Sequence, residues 1–156
     1  MDQGRRKVLR AGGSAGLAGL LMSIGFFKSD NALAADWDKA AFEAKTLPEA
    51  FQILGVVQKS DSNDIIMTAP DIAENGAVVP VSAKSTIPKT ESISVLIEKN
   101  PNPLTAVFHF PDGTEPFIST RVKMGQTSNV ILLVKADGKY YFTTKEIKVT
   151  LGGCGG

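Results

Sequence analysis

From Asp64 onward the chain is a series of short apolar runs separated by Pro, Gly and Asn, and this most narrows what it can fold into. The runs are "DIIMTAP", "AVVPVSAKS", "SISVLIEKN", "LTAVFHFP", "PFISTRVKM", "NVILLVKA", "KYYFTTK" and "EIKVTL". Each is too short for a helix with a buried stripe, and several alternate with period two. Ile93, Val95 and Ile97 face one way, with Ser92, Ser94 and Glu98 the other. Ile118, Val122 and Met124 oppose Arg121 and Lys123, and Ile147, Val149 and Leu151 oppose Glu146, Lys148 and Thr150. One face in a core and one in water is the pattern of antiparallel sheets. "VILLV" is apolar throughout and is expected at a sheet centre. Asp137-Gly138 is a two-residue hairpin signal between two of the runs. Seven or eight strands at this spacing predict an all-β, immunoglobulin-like antiparallel sandwich.

Two short helices are expected ahead of the strands. "DWDKAAFEAK" is one. "TLPEAFQILG" is the other, with Thr46 and Glu49 at capping-box spacing, Pro48 in the first turn and Gly55 as a stop. The chain has one cysteine, so no internal disulfide is available and stability must come from the core.

The first residues read differently. "MDQGRRKVLRAGGSAGLAGLLMSIGFFKSDNALAAD" is basic, then apolar, then small, the layout of an export signal. The twin arginine Arg5-Arg6, a glycine-diluted apolar stretch and the following Lys28 suit the Tat route. Ala32-Leu33-Ala34 fits a cleavage site. The alternative is a membrane anchor, but the stretch is at the short end for a spanning helix of about 20 residues. Residues 1–34 are therefore expected to be a removed Tat signal and the protein periplasmic, with no stable membrane anchor. Cutting after Ala34 leaves 122 of the 156 residues, enough for one domain. That part holds 12 basic and 14 acidic residues, which gives no sign of a nucleic-acid binder.

Few catalytic constellations are available. His109 is the only histidine, and its strand setting suits a structural role or a wet edge. One His and one Cys are too few for a dedicated tetrahedral zinc site. No haem, dithiol, phosphate-loop or nucleophile-elbow motif is present. No metal and no cofactor are expected, and no enzyme activity of the chain's own.

The last residues are the exception. Cys154 stands between Gly152-Gly153 and Gly155-Gly156, so four of the last five residues are glycine. Glycines without side chains give a thin segment of wide conformational freedom. Such an arm (residues 152–156), rooted in a strand of a domain over residues 35–151, suits a group carrier that presents its thiol to other proteins. An unperturbed thiol is only a few per cent ionised at neutral pH, so activation would come from a partner. The rival readings are a thiol for an intermolecular disulfide and an idle tail.

The twin-arginine start, the helices with "LPEAF", the stretch "APDIAENGAVVPV", the strand "TESISVLIEKNPNPL" and the terminal "GGCGG" together resemble the SoxY family, sulfur carriers of the bacterial thiosulfate-oxidising Sox system. The resemblance implies an immunoglobulin-like fold and a heterodimer with SoxZ. It implies that Cys154 is the covalent attachment site for sulfur intermediates. Thiosulfate would be joined by the SoxAX cytochrome and sulfate released by the SoxB hydrolase. The remaining sulfur would be oxidised by the SoxCD sulfane dehydrogenase where that enzyme is present.

Overall fold

A computed structural model describes residues 38–150. The expected signal, Arg5, Arg6, Leu151, and the arm residues Gly152, Gly153, Cys154, Gly155 and Gly156 lie outside the described residues.

The described chain opens with α1 (Lys39–Glu43) and α2 (Leu47–Ile53). The Thr46 hydroxyl caps α2 by accepting from the Glu49 N–H at 3.3 Å. The Glu49 carboxylate reaches back one residue further than a capping box requires, to the Lys45 N–H at 2.8 Å. At the other end Gly55, at φ +75°, closes a Schellman motif. The Val56 N–H donates to the Phe51 carbonyl and the Gly55 N–H to that of Gln52.

Nine strands follow. They are β1 (Lys59–Asp61), β2 (Ile65–Thr68), β3 (Ile72–Ala73), β4 (Val79–Ser85), β5 (Thr90–Ile97), β6 (Leu104–His109), β7 (Phe117–Val122), β8 (Ser128–Ala136) and β9 (Lys139–Val149). One sheet runs β1-β9-β8-β5-β6 with β3 also on β9, and the other runs β2-β4-β7. The fold is the expected immunoglobulin-like β-sandwich. The apolar run of β8 sits at the middle of the larger sheet. The hairpin into β9 turns on Asp137 and Gly138, both at positive φ (50° and 71°), as a tight primed turn requires.

Three features depart from the alternation pattern. The runs "KYYFTTK" and "EIKVTL" form one strand of 11 residues, because no Gly or Pro interrupts them. β1 and β3 are additional. Both pair parallel to β9, Lys59–Asp61 beside Tyr140–Phe142 and Ile72–Ala73 beside Lys148–Val149. They cover the free edge of an otherwise antiparallel sheet, which protects it from pairing elsewhere.

The third departure concerns the large sheet, which has a core on each face. Ile93, Val95, Ile97, Val130, Leu132, Val134 and Ile147 meet Val79, Val81, Ala83, Ile118 and Val122 of the small sheet. On the opposite face Leu96, Leu104, Ile131 and Leu133 meet Ala41, Ala44 and Ala50 of the helical layer. The face of β5 expected in water is thus covered. Ser92 is 9% exposed and Ser94 4%. Helices of five and seven residues are not stable alone; this buried contact holds them.

Candidate functional site at the root of the carboxy-terminal tail

The cysteine lies four residues beyond Thr150, the last described residue, so the site is built here from its root upward. β9 brings the chain there and is held on both sides at its end. The Lys148 N–H donates to the Asp71 carbonyl at 2.9 Å and the Thr150 N–H to the Ala73 carbonyl at 3.1 Å. The Val149 N–H donates to the Thr127 hydroxyl at 3.0 Å. Lys145, from β9, pairs with the Asp71 carboxylate at 2.9 Å and also donates to the Ala69 carbonyl. That ammonium holds the Asp71 carboxyl below its usual range, by hydrogen bond first and by charge second.

The stretch "APDIAENGAVVPV" therefore forms one wall of the root. Its turn is set by Asn75, whose side-chain oxygen accepts from the Ala77 N–H at 2.9 Å. Gly76 then passes so close to the next loop that a Cβ there would stand 2.4 Å from the Met124 carbonyl oxygen and 2.9 Å from Val149 Cγ1. The close approach is fastened by the Met124 N–H donating to the Gly76 carbonyl at 2.7 Å. Asn100 ties the loop from its other side, donating to the Lys123 carbonyl at 2.8 Å. The root is a braced strand end.

His109 is far from it. On one face of the large sheet His109, Ser92, Lys135 and Tyr140 stand in register across β6, β5, β8 and β9. Tyr140 is the second residue of β9 and Val149 its last, nine residues on, which is about 30 Å of strand. The only histidine thus sits at the opposite end of the sheet, exposed on the edge strand β6, as its strand setting predicts. There it lines a cavity of about 200 Å³ with Asp38, Ser92, Ser94 and Lys135 among others. Among the described residues no group of three His, Cys, Asp or Glu side chains could hold a metal ion. Among the same residues no helix is long and apolar enough to cross a membrane.

The family model for "Sulfur oxidation protein SoxY" matches residues 51–154. The chain belongs to the SoxY family. It is thereby a sulfur-oxidation protein of the carrier type. Among solved structures it is similar to the sulfur carrier protein SoxY from Chlorobium limicola f thiosulfatophilum. Identity is 37% and the TM-score 0.60, over 65% of this chain and 92% of that one. Two weaker likenesses have 12% identity each. The human F-spondin reeler domain gives a TM-score of 0.43 over 60% of this chain and 94% of that one. A chain from a structure showing T cell specificity and activation by the bacterial superantigen toxic shock syndrome toxin-1 gives 0.40 over 55% of this chain and 99% of that one. Neither bears on function. No curated protein matches the chain.

The SoxY match takes in position 154, the cysteine, and both the helix α2 from Phe51 onward and the whole sandwich. Two parts of the root were absent from the sequence reading. β3 is two residues long and carries no periodicity, and the need for glycine at position 76 arises from a loop 48 residues further on. "APDIAENGAVVPV" was visible only as a resemblance; its position beside β9 gives it a physical role.

Proposed function

We propose that the protein is a periplasmic covalent sulfur carrier in thiosulfate oxidation, with Cys154 as the attachment site on a swinging arm of residues 152–156. The observation that carries this is that the SoxY match extends to residue 154, the chain's only cysteine. The braced end of β9 supports it mechanically. Four residues from Thr150 give the Cys154 backbone a reach of at most about 13–14 Å. His109, some 30 Å of strand away, is beyond it. The arm's thiol must then be activated by the protein that receives it.

In the proposed sequence the Cys154 thiol and thiosulfate form a sulfur–sulfur bond. Two electrons pass to a c-type cytochrome acceptor of the SoxAX kind and one proton is released, leaving an S-thiosulfonate. Water then cleaves the terminal sulfone as sulfate in a hydrolase of the SoxB kind, leaving a persulfide. A sulfane dehydrogenase of the SoxCD kind, where present, oxidises the outer sulfur to an S-sulfonate; three waters supply the oxygens, six electrons pass to a cytochrome acceptor and seven protons are released. Hydrolysis of that group releases a second sulfate and restores the thiol. The chain supplies the attachment point and the presentation, without a metal or organic cofactor and without an activity of its own.

SoxZ is the proposed heterodimer partner. Arg5 and Arg6 direct Tat export, with cleavage near Ala34. Intact-mass measurement on protein from thiosulfate-grown cells should show thiosulfate-derived or sulfane adducts, absent after Cys154→Ser. A bare thiol in such cells, together with undiminished thiosulfate oxidation by the Cys154→Ser strain, would sink the proposal.

A further inference from the structure

The cavity at the far end of the large sheet is chemically unlike the apolar surface around it. Further along the same face the sheet presents Leu96, Leu104, Ile131 and Leu133, and the helices cover them. Of the next two rows one is mixed and the other polar. Ser92 lies between His109 and Lys135, and Ser94 between Val107 and Leu133, in strand register. All six line the cavity, whose rim is completed by Ile53, Leu54, Tyr140 and Asp38.

The two serine residues are 9% and 4% exposed, and their hydroxyls open onto the cavity rather than being shut away from it. Two hydroxyls on one cavity wall can each donate to and accept from whatever occupies it, solvent or a ligand. Lys135 pairs with Glu91 at 3.0 Å, and an ammonium has further donors to offer beyond that bond. Tyr140 already donates to the Leu54 carbonyl at 2.6 Å, which fixes that wall. Asp38 is exposed, and its carboxylate accepts from the Ala41 N–H at 3.2 Å. The wall formed by β5, β6 and β8 thus places two hydroxyls and an imidazole near one cation, with Val107 and Leu133 flanking Ser94. The cavity has room for a small ion and several waters, at about 30 Å³ per water.

We infer that this cavity binds a small tetrahedral oxyanion of the sulfate and thiosulfate class, held by the Ser92 and Ser94 hydroxyls, the Lys135 ammonium and His109. The site is separate from Cys154 and independent of the carrier chemistry. Glu91 restrains it by engaging Lys135, and Asp38 opposes it by like charge.

The test uses the full chain carrying Cys154→Ser, so that the arm's thiol contributes nothing. Sodium sulfate and sodium thiosulfate are titrated separately at constant ionic strength, with chloride as the balancing salt. Amide and imidazole signals are followed by NMR. Saturable shifts at Ser92, Ser94, Lys135 and His109 are expected with at least one of the two ions. Saturation by thiosulfate alone or by sulfate alone identifies which of the two ions the cavity takes. Lys135→Met should weaken binding by about tenfold or more, the loss of one charge-assisted bond. Ser94→Ala should weaken it severalfold, and Asp38→Asn should tighten it. Shifts that never saturate with either ion would overturn the inference. So would a folded Lys135→Met protein, or a folded Ser94→Ala protein, that binds as well as its parent. Saturable binding alongside a Cys154→Ser strain that still oxidises thiosulfate would remove the carrier proposal and leave this one standing.

Discussion

Gly76 is the position where the smallest change should do the most damage to the root of the tail. An alanine Cβ there would stand 2.4 Å from the Met124 carbonyl oxygen, when ordinary contact begins near 3.4 Å, and 2.9 Å from Val149 Cγ1. The first neighbour is backbone, so relief requires the two loops to separate by roughly an ångström. Overpacking of this kind costs about 1–3 kcal/mol. Separation also stretches the 2.7 Å bond from the Met124 N–H to the Gly76 carbonyl, worth about 1 kcal/mol. Gly76→Ala should therefore destabilise the domain by about 2–4 kcal/mol. At about 4 °C per kcal/mol for a domain of this size, the melting temperature should fall by about 8–16 °C. Gly125→Ala is the matched control on the facing loop. Nothing lies within 4 Å of its added methyl and its φ is outside the left-handed region, so it should be neutral or stabilising by about 0.4–1 kcal/mol. Thermal unfolding followed by circular dichroism compares the two. Equal melting temperatures would refute the reasoning about close approach.

The remaining expectations concern the helices, the second core and pH. Thr46→Ala removes the hydroxyl that accepts from the Glu49 N–H and should cost about 1 kcal/mol in urea unfolding. Leu96→Ala should cost about 2–5 kcal/mol although Leu96 takes no part in the core between the sheets, because it is fully buried under the helices. A cost below 1 kcal/mol would mean the helical layer is not docked in solution. The Asp71 carboxyl is held below its ordinary value of 3.8 by Lys145, so its contribution is present above that value and is lost as pH falls through the lowered one. The stability gap between the parent and Lys145→Met should accordingly be constant near neutrality and narrow below pH 3.8. A gap that widens there would reverse the sign of the coupling.

Local signals carried most of the fold. Asp137-Gly138, the Thr46 cap, the Gly55 stop and the alternation of β7 and of the end of β9 depend on neighbours a few residues away, and the structure has all of them. What alternation could not reveal is what covers a face. Ser92 and Ser94 read as a wet face by residue type, but the helices lie against that side of β5 and leave the serines on a cavity wall. β1 and β3 were invisible for a related reason. Three residues of "KSD" and two of "IA" become strands only because β9 offers an unpaired edge. The cysteine stood out by composition, while the bracing of its root depends on contacts between Asp71, Ala73, Gly76, Met124, Thr127 and β9, distant in sequence.

On the proposed reading, the two ends of β9 explain how a reactive group on the arm is kept from the chain's own side chains. At its start, Tyr140 stands in the row with Lys135, Ser92 and His109, where the polar groups of this face collect. At its end, Val149 and Thr150 are fixed by β3 and Thr127, and the chain continues toward Cys154 with only Leu151 and two glycines between. A freely moving root would let a tethered thiol explore the protein's own surface. A root clamped by hydrogen bonds on both sides confines it to a radius of about 13–14 Å, which excludes the histidine about 30 Å away along the strand. On the proposed reading that separation matters. A persulfide or S-thiosulfonate on Cys154 stays clear of the chain's imidazole until a partner admits the arm.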